Sequence, residues 1–378
     1  MIYADYNATT PVDPEVRVAM NEVLEVSFGN PSSIHTVGQA ARRLVDRARA
    51  QVAALIGAAP DEILFTSGGT EADNLAVLGV AAASGERRGI VTSAVEHKAV
   101  LDPCGYLQTQ GHPVTVLPVD RDGRVEVGMV EAVASAGVAL VSLMLANNDT
   151  GTLHPVAEVA KAAKARGALV HTDAVQAAGK VPIDVNQLGV SLLSFSSHKI
   201  HGPKGAGALF VRRGVRLAPL VHGGRQERMV RPGTENVPAI VGFGKACELA
   251  RARLDGDARR MAELRDRFES QVLATISGTR INGGASRLPN TSNIAFADLD
   301  GEAITINLDM MGAAVSTGAA CSSSDNTPSH VLVAMGQTAD EARSSVRFSF
   351  GRDTTAEEID RLGDLVVQAV KLLREARR

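Results

Sequence analysis

One lysine stands where a strand is predicted to end, in a setting that suits covalent chemistry. The apolar alternation of residues 191–195 predicts the strand, and two serines, His198 and Lys199 follow it before a turn rich in glycine and proline. An amine that forms an imine must lose its proton, which requires partial desolvation and a fixed position beside one small partner. An ordinary surface lysine is the alternative, since most lysines are exposed. Polar residues at other strand ends favour the interpretation of Lys199 as a Schiff-base lysine.

A carboxylate ends the preceding predicted strand. Asp173 follows an apolar run over residues 168–172, and open α/β sheets bind their ligands beyond the carboxyl ends of the strands. An aspartate beside a pyridine nitrogen keeps that nitrogen protonated, which makes pyridoxal phosphate an electron sink. The alternative role for Asp173 is that of a helix N-cap.

A glycine pair lies between a predicted strand and an alanine-rich helix, in Ser67-Gly68-Gly69-Thr70. Backbone N–H groups and the helix dipole at such a position can hold a phosphate, and Thr70 adds a hydroxyl. A plain strand-to-helix turn is the alternative. The spacing differs from that of a P-loop and of a dinucleotide-binding fingerprint.

Two further strand ends carry polar side chains. His97 follows a third predicted strand, where an imidazole could stack on a flat ring and act as an acid or base, or simply cap a helix. Asn147 and Asn148 follow an apolar strand, and their amides suit a phenolic or carbonyl oxygen, although an asparagine-rich turn is the alternative.

The three cysteines have different surroundings. Cys321 lies within residues 315–330, a small and polar stretch that predicts a flexible loop, so its thiol is a candidate nucleophile, although a loop cysteine without function is the alternative. Cys247 shares helical spacing with apolar neighbours and is predicted to be a core thiol, and Cys104 has no distinguishing context. Since the chain has no CxxC pair, we expect neither a disulfide framework nor a cysteine-rich zinc site, and no metal is predicted.

The order of the elements predicts the fold. Seven β-rich segments alternate with helices and predict a doubly wound, mostly parallel, seven-stranded α/β sheet, with strands at 62–66, 89–92, 113–117, 139–145, 168–172, 191–195 and 207–211. A charged helical stretch from 236 to 276, broken near 255–257, begins a smaller α+β part with strands at 291–296, 303–308 and 345–350 and a closing helix at 355–374. We predict a large domain over 15–250, and a small domain from 1–14 plus 251–378.

The composition limits the kinds of molecule that this protein is expected to bind. The formal net charge of -3 and the dispersed basic residues predict no general attraction to nucleic acid or to an anionic membrane. The first residues lack the pattern of a secretory leader, and no apolar run has membrane-spanning length. A cytoplasmic protein is expected.

Together these stretches resemble the cysteine desulfurases of the NifS/IscS type, which belong to the class V aminotransferase family of fold-type I pyridoxal phosphate enzymes. The similarity runs from Asp5 to Arg352. Its most specific parts are Ser67-Gly68-Gly69-Thr70-Glu71, Glu96-His97, Asn147-Asn148, Thr172-Asp173-Ala174-Val175-Gln176, Ser196-Ser197-His198-Lys199 and Gly318-Ala319-Ala320-Cys321-Ser322.

The resemblance implies a role for each site residue. Lys199 would hold pyridoxal phosphate as an imine, Asp173 would pair with the ring nitrogen, and His97 would stack on the ring. The cofactor's edge oxygens would meet Asn148 and Gln176, and its phosphate would be held by Gly69, Thr70, Ser196 and His198, with Thr234 of the neighbouring subunit. The substrate's α-carboxylate would be received by Arg347, with Asn148 beside it.

The resemblance also implies a reaction and partners. Lys199 would move the α-proton of L-cysteine, and the Cys321 thiolate would attack the substrate sulfur, leaving a persulfide and releasing L-alanine. A homodimer is implied, with delivery of sulfur to an acceptor protein for iron–sulfur cluster assembly or tRNA thiolation. Asp149 departs from the family's usual glutamate, and the long Cys321 loop favours the IscS/NifS group over the SufS group.

Four alternatives remain open from the sequence. A class V aminotransferase or a selenocysteine lyase would share the fold, and the aminotransferase would not need Cys321. A non-catalytic sulfur carrier or nucleotide-binding protein would use residues 67–70 without forming an imine.

Overall fold

A computed structural model describes residues 1–85, 88–134, 137–318 and 327–377. In chain order the strands and α-helices are β1 (Ile2–Tyr3), α1 (Pro14–Val26), α2 (Thr36–Leu55), β2 (Ile63–Thr66), α3 (Gly69–Ala83), β3 (Gly89–Ser93), α4 (Lys98–Thr109), β4 (Val114–Leu117), α5 (Val127–Val133), β5 (Val138–Ser142), α6 (Val156–Lys164), β6 (Leu169–Asp173), α7 (Val185–Leu188), β7 (Leu192–Ser196), β8 (Gly207–Val211), α8 (Val237–Thr275), β9 (Thr279–Ile281), β10 (Thr291–Phe296), α9 (Gly301–Met310), β11 (Ala313–Ala314), α10 (His330–Ala334), α11 (Ala339–Arg343), β12 (Ser345–Ser349) and α12 (Ala356–Ala376). Short 3-10 turns lie at Pro60–Glu62, Ser197–Lys199 and Gln226–Met229.

The large sheet has seven strands in the order β2-β8-β7-β6-β5-β3-β4, which confirms the predicted seven-stranded α/β sheet. The pairs from β7 through β6, β5 and β3 to β4 are parallel, whereas β8 runs against both of its neighbours. The predicted strands lie within a few residues of the observed ones. Since parallel strands place their carboxyl ends at one edge, the polar residues that follow them can meet.

Both faces of this sheet are buried under helices. Leu193 and Phe195 belong to an apolar cluster that includes Phe243 of α8, whereas Leu192 packs into a second cluster with residues of α3 and α4. Neighbouring side chains of a strand point to opposite faces, and both are apolar here because helices cover both sides. The burial explains why these strands are continuous apolar runs.

The C-terminal part contains a three-stranded antiparallel sheet in the order β12-β10-β9, and β1 pairs with β11 beside it. A third apolar cluster forms around Phe268, Phe296, Phe348 and Phe350 and includes residues of α12. Two domains with a boundary at residue 250 remain a prediction. Among the described residues, no helix combines the length and apolar character needed to cross a bilayer.

Two predictions for the C-terminal part are wrong. Residues 303–308 form part of helix α9 rather than a strand, because the Asp300 side chain caps the helix at the N–H groups of Glu302 and Ala303, and because Ile304 and Leu308 bury one helical face. The predicted break at 255–257 is also absent, since α8 continues through Gly256. A helical glycine costs about 1 kcal/mol relative to alanine, and packing of α8 against α1, α2 and α12 offsets that cost.

Candidate active site

A cavity of about 470 Å³ opens at the carboxyl ends of the parallel strands. Most of the residues predicted from sequence line this one cavity, namely Gly69, Thr70, His97, Asn148, Asp173, Gln176, Ser196, His198, Lys199 and Arg347. They come from six separate stretches of the chain, and only the folded sheet brings them together. The described residues contain no cluster of ligating side chains that could hold a metal ion.

Lys199 enters the cavity from the 3-10 turn that follows β7. Its Nζ donates hydrogen bonds to the main-chain oxygens of Asn7, at 2.5 Å, and Ala8, at 2.8 Å. The lysine is therefore partly buried and is held by the N-terminal arm rather than extended into solvent. Such a position suits an amine that must be desolvated and fixed before it can form an imine.

Asp173 ends β6, is buried, and lines the cavity together with His97. Burial raises the pKa of Asp173, while the nearby His97 and Lys199 oppose that rise. One carboxylate oxygen accepts the Val175 N–H at 2.8 Å, so Asp173 also caps a turn, as its alternative interpretation predicted in part. Its charge nevertheless borders the cavity, where a protonated ring nitrogen would offset the cost of burying it.

His97 caps a helix and also lines the cavity, whereas its stacking on a flat ring stays a prediction. Its Nδ1 accepts the Ala99 N–H at 3.1 Å and caps α4, while the ring lines the cavity. Burial lowers the pKa of His97, with Asp173 opposing and Lys199 reinforcing the shift. A neutral ring of this kind can stack on a flat ligand.

One end of the cavity has groups that can bind an anion. Helix α3 begins at Gly69, so the free N–H groups of its first turn and the Thr70 hydroxyl lie at this end. A Cβ on Gly69 would approach Cγ2 of Val175 to 2.6 Å, so no larger residue fits there without displacement. Ser196 and His198 line the same cavity.

Thr234 lies apart from these residues. It is exposed on the segment before α8 and does not line the cavity of its own chain. Its predicted contribution to the phosphate site of a neighbouring subunit stays a prediction.

Asn148 and Gln176 border the cavity on one side. The Oδ1 atom of Asn148 is buried without a hydrogen-bond partner among the described residues, which marks a place for a ligand donor. Gln176 donates from Nε2 to the main-chain oxygen of Asn7 at 2.9 Å. These amides fit the edge of a small aromatic cofactor that carries oxygen substituents.

Arg347 reaches the cavity from β12 of the smaller sheet. Its guanidinium donates to the Asp5 carboxylate at 2.7 Å and to the main-chain oxygen of Asn148 at 3.1 Å. Its Nε is buried and has no hydrogen-bond partner within the part of the chain that the structure describes. The position suits recognition of a carboxylate, and Asp5 stabilises the buried charge until one binds.

Cys321 lies outside the described residues, which stop at Gly318 and resume at Thr327. Gly318, Thr327 and Ser329 line the cavity. Cys104 and Cys247 are free and buried. Burial raises the pKa of Cys104 to about 12 and that of Cys247 well above its usual value, so neither is a thiolate at neutral pH.

Several further residues contribute to this site without a recognisable signal in the sequence. Asn7 and Asp149 line the cavity, and Lys180 is buried behind it. His330 also lines it and contacts the main-chain oxygen of Glu96 through Nε2 at 2.9 Å. No local pattern marks these side chains, because most of their partners are distant in sequence.

The chain matches known proteins over nearly its full length. The family model for "Aminotransferase class-V" matches residues 2–362. A cysteine desulfurase of Cereibacter sphaeroides is 51% identical over 376 residues, covering 99% of this chain and 96% of that protein. Cysteine desulfurase IscS of Dictyoglomus turgidum is 48% identical over 375 residues, covering 99% and 95%. A solved structure of a NifS-like protein superposes with a TM-score of 0.93 at 38% identity, covering 98% of this chain and all of the other.

These similarities identify the class of protein that the sheet and its strand-end site define. The chain belongs to the class V aminotransferase family, whose cysteine desulfurase members depend on pyridoxal phosphate. The cavity fits that cofactor, since it combines an amine, a buried carboxylate, a helix N-terminus and an amide oxygen that no described residue contacts by a hydrogen bond.

Proposed function

We propose that this protein is a cysteine desulfurase, which removes sulfur from L-cysteine and leaves L-alanine and a persulfide on Cys321. The observation that carries the proposal is the convergence of Lys199, Asp173, His97 and Arg347 on one cavity, in a chain that is similar to cysteine desulfurases over its full length. Bound pyridoxal phosphate supplies an electron sink beside the substrate's α-carbon.

Different residues of the chain would bind different parts of the cofactor. Lys199 would attach it covalently through Nζ, and Asp173 would pair with its ring nitrogen. His97 would cover one face of the ring. The N-terminus of α3, with Ser196 and His198, would receive the phosphate.

Substrate chemistry would follow from two further groups. Arg347 would bind the α-carboxylate of L-cysteine and thereby hold the α-hydrogen near Lys199, which would move that proton. The Cys321 thiolate would attack the substrate sulfur, so that the carbon–sulfur bond breaks and a sulfur–sulfur bond forms. The carbon regains a proton and leaves as L-alanine.

Two variants test the proposal. Purified wild type should show the visible absorption band of bound pyridoxal phosphate and release sulfide and alanine in equal amounts from L-cysteine in the presence of a thiol. Lys199→Ala should lose the covalent attachment. Cys321→Ser should keep the absorption band but lose sulfide release.

The same assay separates the alternatives. A wild type that transfers the amino group to a keto acid, with no dependence on Cys321, would indicate a class V aminotransferase. Activity restricted to selenocysteine would indicate a selenocysteine lyase. Either result would contradict the proposal.

We also propose a homodimer in which Thr234 completes the phosphate site of the partner. Phe28 and Ile34, at 90% and 95% exposure, are apolar side chains that a monomer would leave in water. They lie on the segment between α1 and α2, and Ser32 of that segment shares a surface cavity with Arg228, close in sequence to Thr234. A second copy of the chain is the occupant that would cover both segments.

Mixed dimers test this arrangement. Sedimentation should give the mass of a dimer. Lys199→Ala and Thr234→Glu should each be inactive alone, and dimers that contain one chain of each should regain activity, because one site then has both wild-type residues. Absence of recovery in confirmed mixed dimers would contradict a shared site.

The remaining parts of the proposal concern organisation and partners. We propose that residues 15–250 form the cofactor-binding domain and that residues 1–14 and 251–378 form a smaller domain carrying Cys321. Sulfur would pass in the cytoplasm to an acceptor protein for iron–sulfur cluster assembly or tRNA thiolation. Transfer of labelled sulfur from the Cys321 persulfide to each class of acceptor would distinguish them.

A further inference from the structure

A second lysine is buried behind the cavity and has no role in the proposed reaction. Lys180 is only 6% exposed, on the turn that follows β6. Its Nζ donates to two neutral amide oxygens, Oε1 of Gln176 at 2.9 Å and Oδ1 of Asn7 at 3.3 Å. Burial lowers the pKa of Lys180 well below its usual value, and the nearby Lys199 and Arg347 add to the shift. A buried lysine bonded to uncharged partners is uncommon, so its contacts call for an explanation.

The contacts of Lys180 fix the orientation of the Gln176 amide. The main-chain oxygen of Asn7 can only accept, so it takes the Nε2 end of Gln176, and Lys180 donates to the Oε1 end. The two anchors lie at opposite ends of one amide group. If the Gln176 amide were flipped, its oxygen would face the main-chain oxygen of Asn7, and the hydrogen bonds to Asn7 and Lys180 would both be lost.

The fixed amide has a consequence for the cavity that Gln176 lines. Nε2 carries two hydrogens, and the contact with Asn7 uses one of them. The second hydrogen is a donor that can serve an acceptor oxygen on a ligand. An unanchored glutamine could instead present its oxygen, which would repel such a ligand.

We propose that Lys180 is a positioning residue that holds Gln176 so that its Nε2 donates to an anionic oxygen on the edge of the bound cofactor. The proposal rests on the function proposed above. Lys180 also binds the side chain of Asn7, whose main-chain oxygen accepts from Lys199, so the same lysine fixes the arm that holds the attachment point.

Cofactor affinity of the purified full-length protein tests the proposal. Lys180→Met should weaken binding of pyridoxal phosphate about 10-fold, the effect expected from a misplaced buried hydrogen bond. It should also change the pH midpoint of the bound cofactor's absorption band. Lys204→Met is the matched control, because it removes the same charge from an exposed lysine of the loop after Lys199 and should change affinity less than 2-fold.

A double-mutant cycle separates positioning from a merely structural role. If Lys180 acts mainly through Gln176, Lys180→Met should reduce affinity much less in a Gln176→Met background than in wild type, with the remainder coming from the contact with Asn7, whereas independent effects would multiply. If circular dichroism shows that Lys180→Met does not fold, the same cycle is measured with Lys180→Gln, which retains an N–H donor.

The outcomes distinguish this inference from the proposed function. Wild-type affinity and an unchanged pH midpoint in a folded Lys180→Met protein would overturn the inference alone, as would multiplicative effects in the cycle. A wild type that does not bind pyridoxal phosphate would overturn the proposed function as well.

Discussion

The carboxylate of Asp149 accepts a hydrogen bond from the Ser329 hydroxyl at 2.5 Å, and both residues line the cavity. Asp149 also accepts from Nδ2 of Asn293 at 2.8 Å. On its other side lies Gly318, where a Cβ would approach Oδ1 of Asp149 to 2.1 Å. One buried carboxylate therefore contacts the last described residue before the Cys321 segment and a residue just after it.

Asp149→Ala should destabilise the protein and reduce sulfide release. The change leaves the Ser329 hydroxyl without its acceptor, which costs about 1–3 kcal/mol for a buried group. Nδ2 of Asn293 keeps only its 3.4 Å contact with the main-chain oxygen of residue 149. Thermal unfolding and turnover with L-cysteine measure the two effects. The exposed Asp61, paired with Arg213, offers a control, since Asp61→Ala should leave the melting temperature nearly unchanged. Equal melting temperatures for the two variants would contradict a structural role for Asp149.

Arg347→Lys should raise KM for L-cysteine more than it lowers kcat. Lysine keeps the charge but cannot offer the planar pair of donors that a carboxylate accepts, and it cannot also reach both Asp5 and Asn148. Steady-state kinetics, with cofactor content measured in the same samples, provide the check. A fall in kcat at unchanged KM would place Arg347 elsewhere in the reaction.

His154 should make the fold less stable in acid. Both ring nitrogens are buried without a hydrogen-bond partner among the described residues. Burial lowers the pKa of His154 to about 4, the nearby Arg124 adds to the shift, and Asp120 opposes it. Above about pH 6.5 the ring is neutral in both states, so it contributes no pH dependence there. As pH falls from about 6.5 towards 4, the histidine binds a proton in the unfolded chain but not in the folded chain. The free energy of unfolding therefore decreases by up to about 1.4 kcal/mol per pH unit.

Urea unfolding at about pH 5 and at about pH 7 measures this effect, because these values lie on either side of the pKa of a histidine in an unfolded chain. His154→Leu should show a shallower loss of stability in acid than wild type, because one proton uptake is removed. The exposed His222→Leu should keep the wild-type slope. Parallel slopes for wild type and His154→Leu would contradict the assignment.

Glu96 should have the opposite pH dependence. It is fully buried, and burial raises its pKa to about 8, although hydrogen bonds from the Met144 N–H and the Ser93 hydroxyl oppose the shift. The folded chain therefore keeps a proton that the unfolded chain loses above about pH 4.3. Stability contributed by the protonated carboxyl is present in acid and is lost as pH rises towards 8.

Glu96→Gln mimics the protonated carboxyl and should remove this loss. The difference in melting temperature between Glu96→Gln and wild type should increase as the pH is raised from about 5 to about 8. This range lies between the pKa of glutamate in the unfolded chain and the pKa of Glu96 in the folded protein. A constant difference across that range would show that Glu96 titrates alike in both states.

Much of the fold followed from local pattern. Apolar runs bounded by glycine and polar residues located all seven strands of the large sheet. Six of these strands are buried on both faces, which leaves few alternatives, whereas the edge strand β4 is partly exposed. Local pattern failed at α9, where short apolar spacing fits either a strand or a helix and the Asp300 cap decides between them.

The sequence by itself determined the chemical groups at the strand ends, since Lys199, Asp173 and His97 each follow a recognisable strand. Tertiary structure decided which side chains hold those groups in place. Lys180 contacts Asn7 as well as the nearby Gln176, and Asp149 contacts Ser329. Hydrogen bonds across the long separations depend on how the chain folds back rather than on local spacing. The residue types in the sequence indicated the chemistry, whereas the orientation of the side chains depends on how the folded chain packs.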